Sequence, residues 1–224
     1  MNRPTQWDLL FDLAMPIVQQ ARAAVGHEFS ISFGGGTALM LQIDHRESHD
    51  IDLFIDDPQI LPFLNPDTQD YKIFKNPDDY DTDGNSVTKL IFENLGEIDF
   101  ICCADITDTP ALVKSIRATE IPLELPSEIV AKKVYYRGSR LQPRDMFDLA
   151  AVAESYGDQY VIDALRQCGE DRCTSALDVV QAADSQFVKN VVSQLMMRDR
   201  TKHLVECSQE AAKSLLLKSV GQSA

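Results

Sequence analysis

Two short stretches carry the strongest structural signal in this 224-residue chain. Residues 33–39 read Phe-Gly-Gly-Gly-Thr-Ala-Leu, and residues 50–55 read Asp-Ile-Asp-Leu-Phe-Ile. Residues 29–33 predict a short strand that leads into the glycines, and residues 37–43 predict a helix that follows them. Residues 50–55 alternate acidic and apolar side chains, as a half-buried strand does. The order strand, glycine turn, helix, strand therefore organises the N-terminal half.

The glycine turn is suited to bind phosphate. Three consecutive glycines allow the backbone to approach a ligand closely because no Cβ intervenes. The helix that follows directs its free N–H groups and the positive end of its dipole to the same point. Taken alone, the turn is also compatible with a simple connection between a strand and a helix.

A pair of carboxylates follows the turn. Asp50 and Asp52 are two residues apart, so on a strand both side chains emerge on one face. Like charges held so close repel each other unless a cation lies between them. Carboxylate oxygens suit Mg²⁺, which takes one or two of them and completes its shell with water and substrate phosphates. The alternative is an edge strand with its acidic face in water.

A third acid is expected on a later strand. Asp99 is the candidate because it lies between two large apolar residues, where an acid is costly unless it is paired or binds metal. Glu97 and Asp105 are the alternatives. Two histidines, His45 and His49, have helical spacing but precede a strand and lack a third ligand, so a zinc site is not expected.

The rest of the chain separates into a mixed half and a helical half. Residues 5–25 predict an amphipathic helix, residues 87–92 and 97–102 predict paired strands, and residues 56–85 predict loops with one strand at 71–74. Five further segments predict helices: 127–136, 143–155, 159–168, 174–183 and 207–220. We therefore expect an α/β domain over residues 1–125 and a helical domain over residues 126–224.

The motifs in combination resemble the AbiEii/AbiGii toxin family of the polymerase-β-like nucleotidyltransferases. The residues that carry the resemblance are the glycine turn 35–39, the segment 45–54 with His-Arg-x-Ser-x-Asp-Ile-Asp, Ile98-Asp99-Phe100, the segment 128–133, Arg137 and the Arg-Asp-x-x-Asp-Leu segment 144–149. The resemblance covers about residues 30–150. It implies an α+β fold in which a mixed sheet flanked by helices precedes a C-terminal helical bundle.

The resemblance also implies roles for individual residues. The metal-binding and catalytic acids are Asp50, Asp52 and Asp99, and the nucleotide-binding residues are Gly35, Gly36, Thr37, Lys133, Arg137 and Asp145. From helical spacing, Lys133, Arg137 and Arg140 share a face that could neutralise a triphosphate or an RNA backbone. A solvated basic face is the alternative. For Asp148 we favour a structural pairing between helices.

The implied activity is a two-metal, Mg²⁺-dependent transfer of a nucleoside monophosphate from a nucleoside triphosphate to RNA, with Mn²⁺ as the other candidate ion. The 3′ end of tRNA is the favoured acceptor, and an antitoxin protein is the expected partner in a toxin–antitoxin or phage-defence pair. A net charge of −14 fits poorly with general RNA binding, although five bases and no acid lie between residues 129 and 144. Nucleotidylation of a protein hydroxyl, or a non-catalytic nucleotide-binding module, are therefore the alternatives.

Composition and cysteine usage point to a folded protein of the cytoplasm. The chain is 44% hydrophobic and 25% charged, which excludes a disordered or low-complexity protein. No apolar stretch is long enough to cross a bilayer, and the N-terminal residues do not form a signal peptide. The five cysteines lack metal-ligand spacing, so we expect reduced thiols.

Overall fold

The chain is divided between two structural units. The computed structural model describes residues 5–221, and the terminal residues of the two predicted domains lie outside this range. The first unit contains the described residues up to Ala38, together with Ser48–Ala104 and Ala111–Glu124. The second unit contains Leu39–Glu47, Asp105–Pro110 and the residues from Leu125 onward.

A mixed seven-stranded β-sheet forms the first unit. Its strands are β1 (Ser32–Gly34), β2 (Ile51–Ile55), β3 (Asp79–Thr82), β4 (Val87–Phe92), β5 (Gly96–Cys102), β6 (Ala111–Ile116) and β7 (Thr119–Glu124). The strand order is β3-β4-β5-β2-β1-β7-β6. Strand β2 runs parallel to β5 and antiparallel to β1, while β1 runs parallel to β7. The acidic strand β2 therefore lies at the centre of the sheet.

Alternation in β2 and β5 explains why these strands are central. The apolar residues of β2 are buried at every second position, and Ile98 and Phe100 are fully buried in β5. The intervening residues Asp52 and Asp99 are only half-buried. Helix α1 (Trp7–Val25) contacts both strands with its apolar face. The core of the unit thus lies on one face of the strands, and the acids lie on the other.

The second unit is built from helices. After α2 (Gly35–Ile43), whose last residues belong to this unit, its helices are α3 (Pro126–Arg137), α4 (Pro143–Tyr156), α5 (Asp158–Gln167), α6 (Glu170–Ala182), α7 (Ser185–Ser193) and α8 (Leu204–Val220). Helix α8 packs against α4, α5 and α6. The strongly amphipathic helices bury their apolar stripe, as in α5 with Val161, Ile162 and Leu165.

The α+β fold with a mixed sheet and a C-terminal helical part is confirmed, but one predicted strand was wrong and several elements were missed. Residues 71–74 form no strand; the segment Asp79–Thr82 pairs with β4 instead. Strand β3 escaped prediction because it is an exposed, acidic edge without apolar alternation. The β6–β7 hairpin and helix α7 were also missed. Strand β6 shows no alternating pattern because its surface is mostly exposed.

Within residues 5–221, none of the helices combines the length and the apolar character that crossing a membrane requires.

Candidate active site

Asp52 and Asp99 lie opposite each other in the parallel pairing of β2 with β5. Both side chains are half-buried. Burial, followed by the negative charge of Asp52, raises the pKa of Asp99 from 3.8 to about 6. The structure thus brings together two of the three predicted acids at the centre of the sheet, in an arrangement that is electrostatically unfavourable by itself.

Lys89 is a residue of this site that sequence reasoning missed. It lies opposite Asp99 in the antiparallel pairing of β4 with β5. Its Nζ atom is 3.1 Å from Oδ1 of Asp99 and 3.2 Å from Oδ2, and it also pairs with Glu97. The sequence did contain a signal for this pair. When the two predicted strands are aligned outward from the tight turn, where Phe92 lies opposite Gly96, Lys89 comes to lie opposite Asp99. Lys89 partly offsets the charge of the two aspartates.

The carboxylate of Asp52 lies against the glycine turn. Gly35 has a φ of +68°, a conformation that favours glycine, and it begins helix α2. A Cβ placed on Gly35 would clash with Oδ2 of Asp52. Gly35 is therefore required by its packing against Asp52, and its predicted role in approaching a phosphate stays a prediction.

Asp50 and Thr37 connect the turn to the sheet. The Thr37 hydroxyl donates a hydrogen bond of 2.5 Å to the backbone carbonyl of Asp50. The Asp50 carboxylate accepts a hydrogen bond of 3.1 Å from the backbone N–H of Glu97. Thr37 is fully buried, and Gly36 is half-buried in the first turn of α2. These contacts hold the turn in place; roles in metal and nucleotide binding stay predictions for Asp50, Thr37 and Gly36.

A further buried acid, Glu124, lies behind the turn. Its side chain is fully buried at the end of β7 and accepts a hydrogen bond of 2.9 Å from the Ser32 hydroxyl. A Cβ on Gly34 would clash with Oε2 of Glu124. Gly34 is therefore required by packing against Glu124. No sequence signal identified Glu124, because the strand that carries it was not predicted.

The acids at the sheet centre fit a divalent cation. Within residues 5–221, no cluster of three or more acidic, histidine or cysteine side chains is arranged to hold a metal ion. Two carboxylates, however, are what Mg²⁺ takes from a protein when water and phosphates supply its other ligands. The proximity of Asp52, which helps to raise the pKa of Asp99, is the repulsion that a cation would relieve. Asp52 and Asp99 are thus the residues suited to hold it.

The second unit contains a buried ion-pair cluster around Lys133. The Nζ atom of Lys133 is 2.6 Å from Oδ1 of Asp145 and 3.1 Å from Oδ2 of Asp148. Burial by itself would lower the pKa of Lys133, but the two aspartates outweigh it and raise the pKa above 10.5. Lys133 and Asp145, both predicted to bind nucleotide, therefore contact each other. Their predicted role stays a prediction.

Asp148 is the centre of the same cluster. Arg46 holds both of its oxygens, with Nε 2.8 Å from Oδ1 and Nη2 2.9 Å from Oδ2. His45 Nε2 is 3.0 Å from Oδ1. Although burial opposes ionisation, Arg46 and Lys133 hold the pKa of Asp148 well below 3.8. Burial lowers the pKa of His45, which stacks on Phe147. Asp148 thus connects the segment after α2 with α3 and α4.

The remaining predicted nucleotide contact, Arg137, lies at the exposed C-terminal end of α3. In residues 5–221 it forms no ion pair.

Solved structures of similar fold include nucleotidyltransferases. MenT4, a nucleotidyltransferase toxin from Mycobacterium tuberculosis H37Rv, is 14% identical with a TM-score of 0.51, over 96% of this chain and 84% of that chain. A Helicobacter pylori protein is 17% identical with a TM-score of 0.46, over 96% of each chain. A nucleotidyltransferase-like protein from Paracoccidioides brasiliensis is 13% identical with a TM-score of 0.42, over 89% of this chain and 99% of that chain.

Comparison with curated protein sequences finds no match. A family model, however, matches residues 18–218, which include the glycine turn, the acids of the sheet and the Lys133 cluster. That family is described as the nucleotidyl transferase AbiEii toxin of type IV toxin–antitoxin systems. The match spans most of the chain, and the chain therefore belongs to the AbiEii family of nucleotidyltransferase toxins.

Proposed function

We propose that this protein is an Mg²⁺-dependent nucleotidyltransferase toxin that transfers a nucleoside monophosphate from a nucleoside triphosphate to the 3′ end of a tRNA. The observation that carries the proposal is the pair Asp52 and Asp99, packed beside the turn at Gly35. Membership of a toxin family of nucleotidyltransferases supports it. The proposed setting is the bacterial cytoplasm, with an antitoxin protein as the partner.

In the proposed reaction, the acceptor hydroxyl oxygen forms a bond to the α-phosphorus of the triphosphate. The bond from that phosphorus to the oxygen bridging to the β-phosphate breaks, and pyrophosphate leaves. We assign the hydroxyl proton to Asp99, the carboxylate that lies opposite Asp52 in the pairing of β2 with β5. Asp52 and Asp99 would hold the metal ion, and Asp50 is the third acid proposed for this site.

The turn binds the triphosphate. Backbone N–H groups at the start of α2 are the donors to the phosphate oxygens. When bound, Mg²⁺ neutralises charge on the transferred phosphate and lowers the pKa of the attacking hydroxyl. The nucleotide-binding roles proposed for Lys133, Arg137 and Asp145 rest on the family resemblance alone.

A protein hydroxyl is the second candidate acceptor. The net charge of −14 favours it, because general affinity for RNA rests on neutralising phosphates. The chemistry at the phosphorus is the same for both acceptors. The assay below distinguishes them by the molecule that becomes labelled.

The test incubates the purified protein with each α-³²P-labelled nucleoside triphosphate, Mg²⁺ and total bacterial RNA. We expect label in a tRNA-sized band. In the Asp52→Asn variant we expect transfer to fall by at least about a hundredfold, or about 3 kcal/mol of transition-state stabilisation. Asp56→Asn, an exposed acid one residue beyond the same strand, is the matched control and keeps wild-type transfer.

Three outcomes contradict parts of the proposal. Label on protein instead of RNA identifies the second acceptor. Nucleotide binding without label anywhere identifies a non-catalytic module. Equal loss in the Asp52→Asn and Asp56→Asn variants removes the assignment of Asp52 to the metal site.

A further inference from the structure

A group of arginines around the turn between α3 and α4 lacks ion-pair partners. Arg137, Arg140 and Arg144 are exposed within eight residues of chain, and Arg172 is exposed in the first turn of α6. Within residues 5–221, none of the four forms an ion pair, whereas most described lysines and arginines do. In a chain with 35 acids and 21 bases, four neighbouring unpaired cations need an explanation.

Two tyrosines are part of the same surface. The guanidinium carbon of Arg172 lies 4.7 Å from the ring centroid of Tyr135, and Tyr135 packs edge-on against Tyr136 with centroids 4.8 Å apart. Tyr136 is 42% exposed. The cation–π contact orients Arg172 without neutralising it. We call Arg137, Arg140, Arg144, Arg172 and the two tyrosines the arginine surface.

The arginine surface is tied to rigid structure. Gly138, between Arg137 and Arg140, is buried, and a Cβ there would lie 3.2 Å from the backbone carbonyl oxygen of Arg172. This close approach holds α6 beside the short 3₁₀ helix Gly138–Arg140. At the other end, Gln142 and Asp145 form a capping box that fixes the start of α4, next to Arg144. The four guanidinium groups therefore project from fixed backbone.

We propose that the arginine surface binds single-stranded RNA of the acceptor through its phosphates, with the exposed ring of Tyr136 stacking on a base. Guanidinium groups match phosphate oxygens in pairs, and a tyrosine ring beside them is the combination that holds single-stranded nucleic acid. An isolated phosphate would use one or two arginines, whereas a surface with four suits a polyanion. The inference rests on the proposed function, since it names the surface that would bind the RNA of that reaction.

This surface reconciles RNA binding with the acidity of the whole chain. Affinity for a polyanion depends on the cations that contact phosphates, and cations already paired with acids contribute little. Lys133 is paired with two aspartates, but within the described residues Arg140 and Arg144 are not paired with any acid. A local cationic surface is therefore sufficient to bind RNA even though the whole chain is acidic. We expect this RNA binding to be weak and strongly dependent on salt.

The test measures fluorescence anisotropy of a short fluorescein-labelled single-stranded RNA with a free 3′ hydroxyl, titrated with the full chain at several salt concentrations. For the Arg140→Ala/Arg144→Ala double variant we expect affinity to fall at least about tenfold at low salt. Loss of two phosphate contacts also reduces the slope of log affinity against log salt by about 1.4.

The matched control is the Lys114→Ala/Arg200→Ala double variant, which removes two other exposed cations that have no ion pair within the described residues. It should bind RNA as the wild type does. Arg140→Lys/Arg144→Lys keeps the charge and should keep most of the salt slope while losing the paired geometry. The proposal is overturned if both alanine variants lose RNA affinity to the same extent. It is also overturned if Arg140→Ala/Arg144→Ala binds RNA as tightly as the wild type does.

The anisotropy measurement separates this proposal from the proposed function because it needs no catalysis. If the wild type transfers no label yet the arginine variant loses RNA binding, the function fails and the surface stands. If the variant transfers nucleotide to RNA with an unchanged kcat/KM, the surface fails and the function stands. Binding to vesicles of phosphatidylglycerol with higher affinity than to RNA also overturns the assignment.

Discussion

At the scale of single residues, Asp99 shows how the site differs from an ordinary surface strand. Burial and the charge of Asp52 raise the pKa of Asp99 to about 6. Near neutral pH the protein without a metal ion therefore holds an ionised Asp99 beside Asp52, where its negative charge is unfavourable. Lys89 reduces this cost without cancelling it, since the pKa remains raised. An acid kept at the expense of stability is typical of a functional site.

This cost is measurable as stability. A carboxyl pKa raised from 3.8 to about 6 means that the folded protein binds more protons than the unfolded chain between these values. The free energy of unfolding therefore falls as pH rises through that window. In the absence of metal ions we expect Asp99→Asn to stabilise the protein at pH 7 by up to about 3 kcal/mol, at 1.36 kcal/mol per pKa unit.

Urea denaturation at pH 7 and below pH 3.8 checks this prediction. The gain in Asp99→Asn should be present at pH 7 and absent at the lower pH, while transfer activity is lost. Asp56→Asn serves as the control and should leave the unfolding midpoint unchanged at both pH values. A destabilised Asp99→Asn variant at pH 7 would contradict the electrostatic description of the site.

At the scale of secondary-structure elements, the start of α2 depends on one backbone conformation and one close contact. Gly35 has a positive φ, and its missing Cβ leaves room for the Asp52 carboxylate. Gly84, in the turn between β3 and β4, has a similar φ of +72°, but no atom lies within 4 Å of the position that a Cβ would occupy there. Substitutions at the two glycines can therefore distinguish the cost of a positive φ from the cost of a clash with Asp52.

We expect Gly84→Ala to lower the free energy of unfolding by about 1 kcal/mol through strain alone, with transfer unchanged. Gly35→Ala should show that loss and should also displace Asp52, which reduces transfer by about a hundredfold. Thermal unfolding and the labelling assay measure the two effects. Wild-type transfer by Gly35→Ala would show that the contact with Asp52 has no functional role.

At the scale of the whole molecule, the chain passes repeatedly between its two units, and the segment Leu39–Glu47 belongs to the second. Arg46 and His45 attach this segment to Asp148, which also binds Lys133. Because Asp148 is fully buried, its charge is indispensable to the two cations around it. Removing one partner from a buried ion cluster leaves the others uncompensated.

We therefore expect Asp148→Asn to lower the free energy of unfolding by about 3–5 kcal/mol. The pKa of Asp148 lies well below 3.8 in the folded protein, so its contribution is present above 3.8 and is lost as pH falls towards the folded pKa. Urea denaturation across this range should show a shallower acid-induced loss in the variant than in the wild type.

Asp199→Asn is the matched control, because Asp199 pairs with Lys202 at 2.7 Å but is 95% exposed. Its unfolding midpoint should equal that of the wild type. A midpoint of Asp148→Asn as high as that of Asp199→Asn would show that the buried cluster does not stabilise the second unit.

Much of the local structure could be predicted from sequence because it follows from local preferences. Strand β4 was predicted with its observed limits, Val87–Phe92, since its residues alternate in burial. Helix α4 was predicted within one residue, because proline marks its first turn and an apolar face continues to residue 152. Strands β3 and β6 could not be predicted, because an exposed edge strand has no buried face to impose a pattern.

By itself, the sequence determined the glycine turn, the acids that follow it, the helical C-terminal half and the family resemblance. Only the tertiary structure decided the partners of the buried charges. Lys89 meets Asp99 through strand register, Glu124 meets Ser32 across 92 residues, and Arg46 meets Asp148 across 102. The physical reason is that periodicity and turn chemistry act over a few residues. The partner of a buried charge, in contrast, depends on strand order and on helix packing far along the chain.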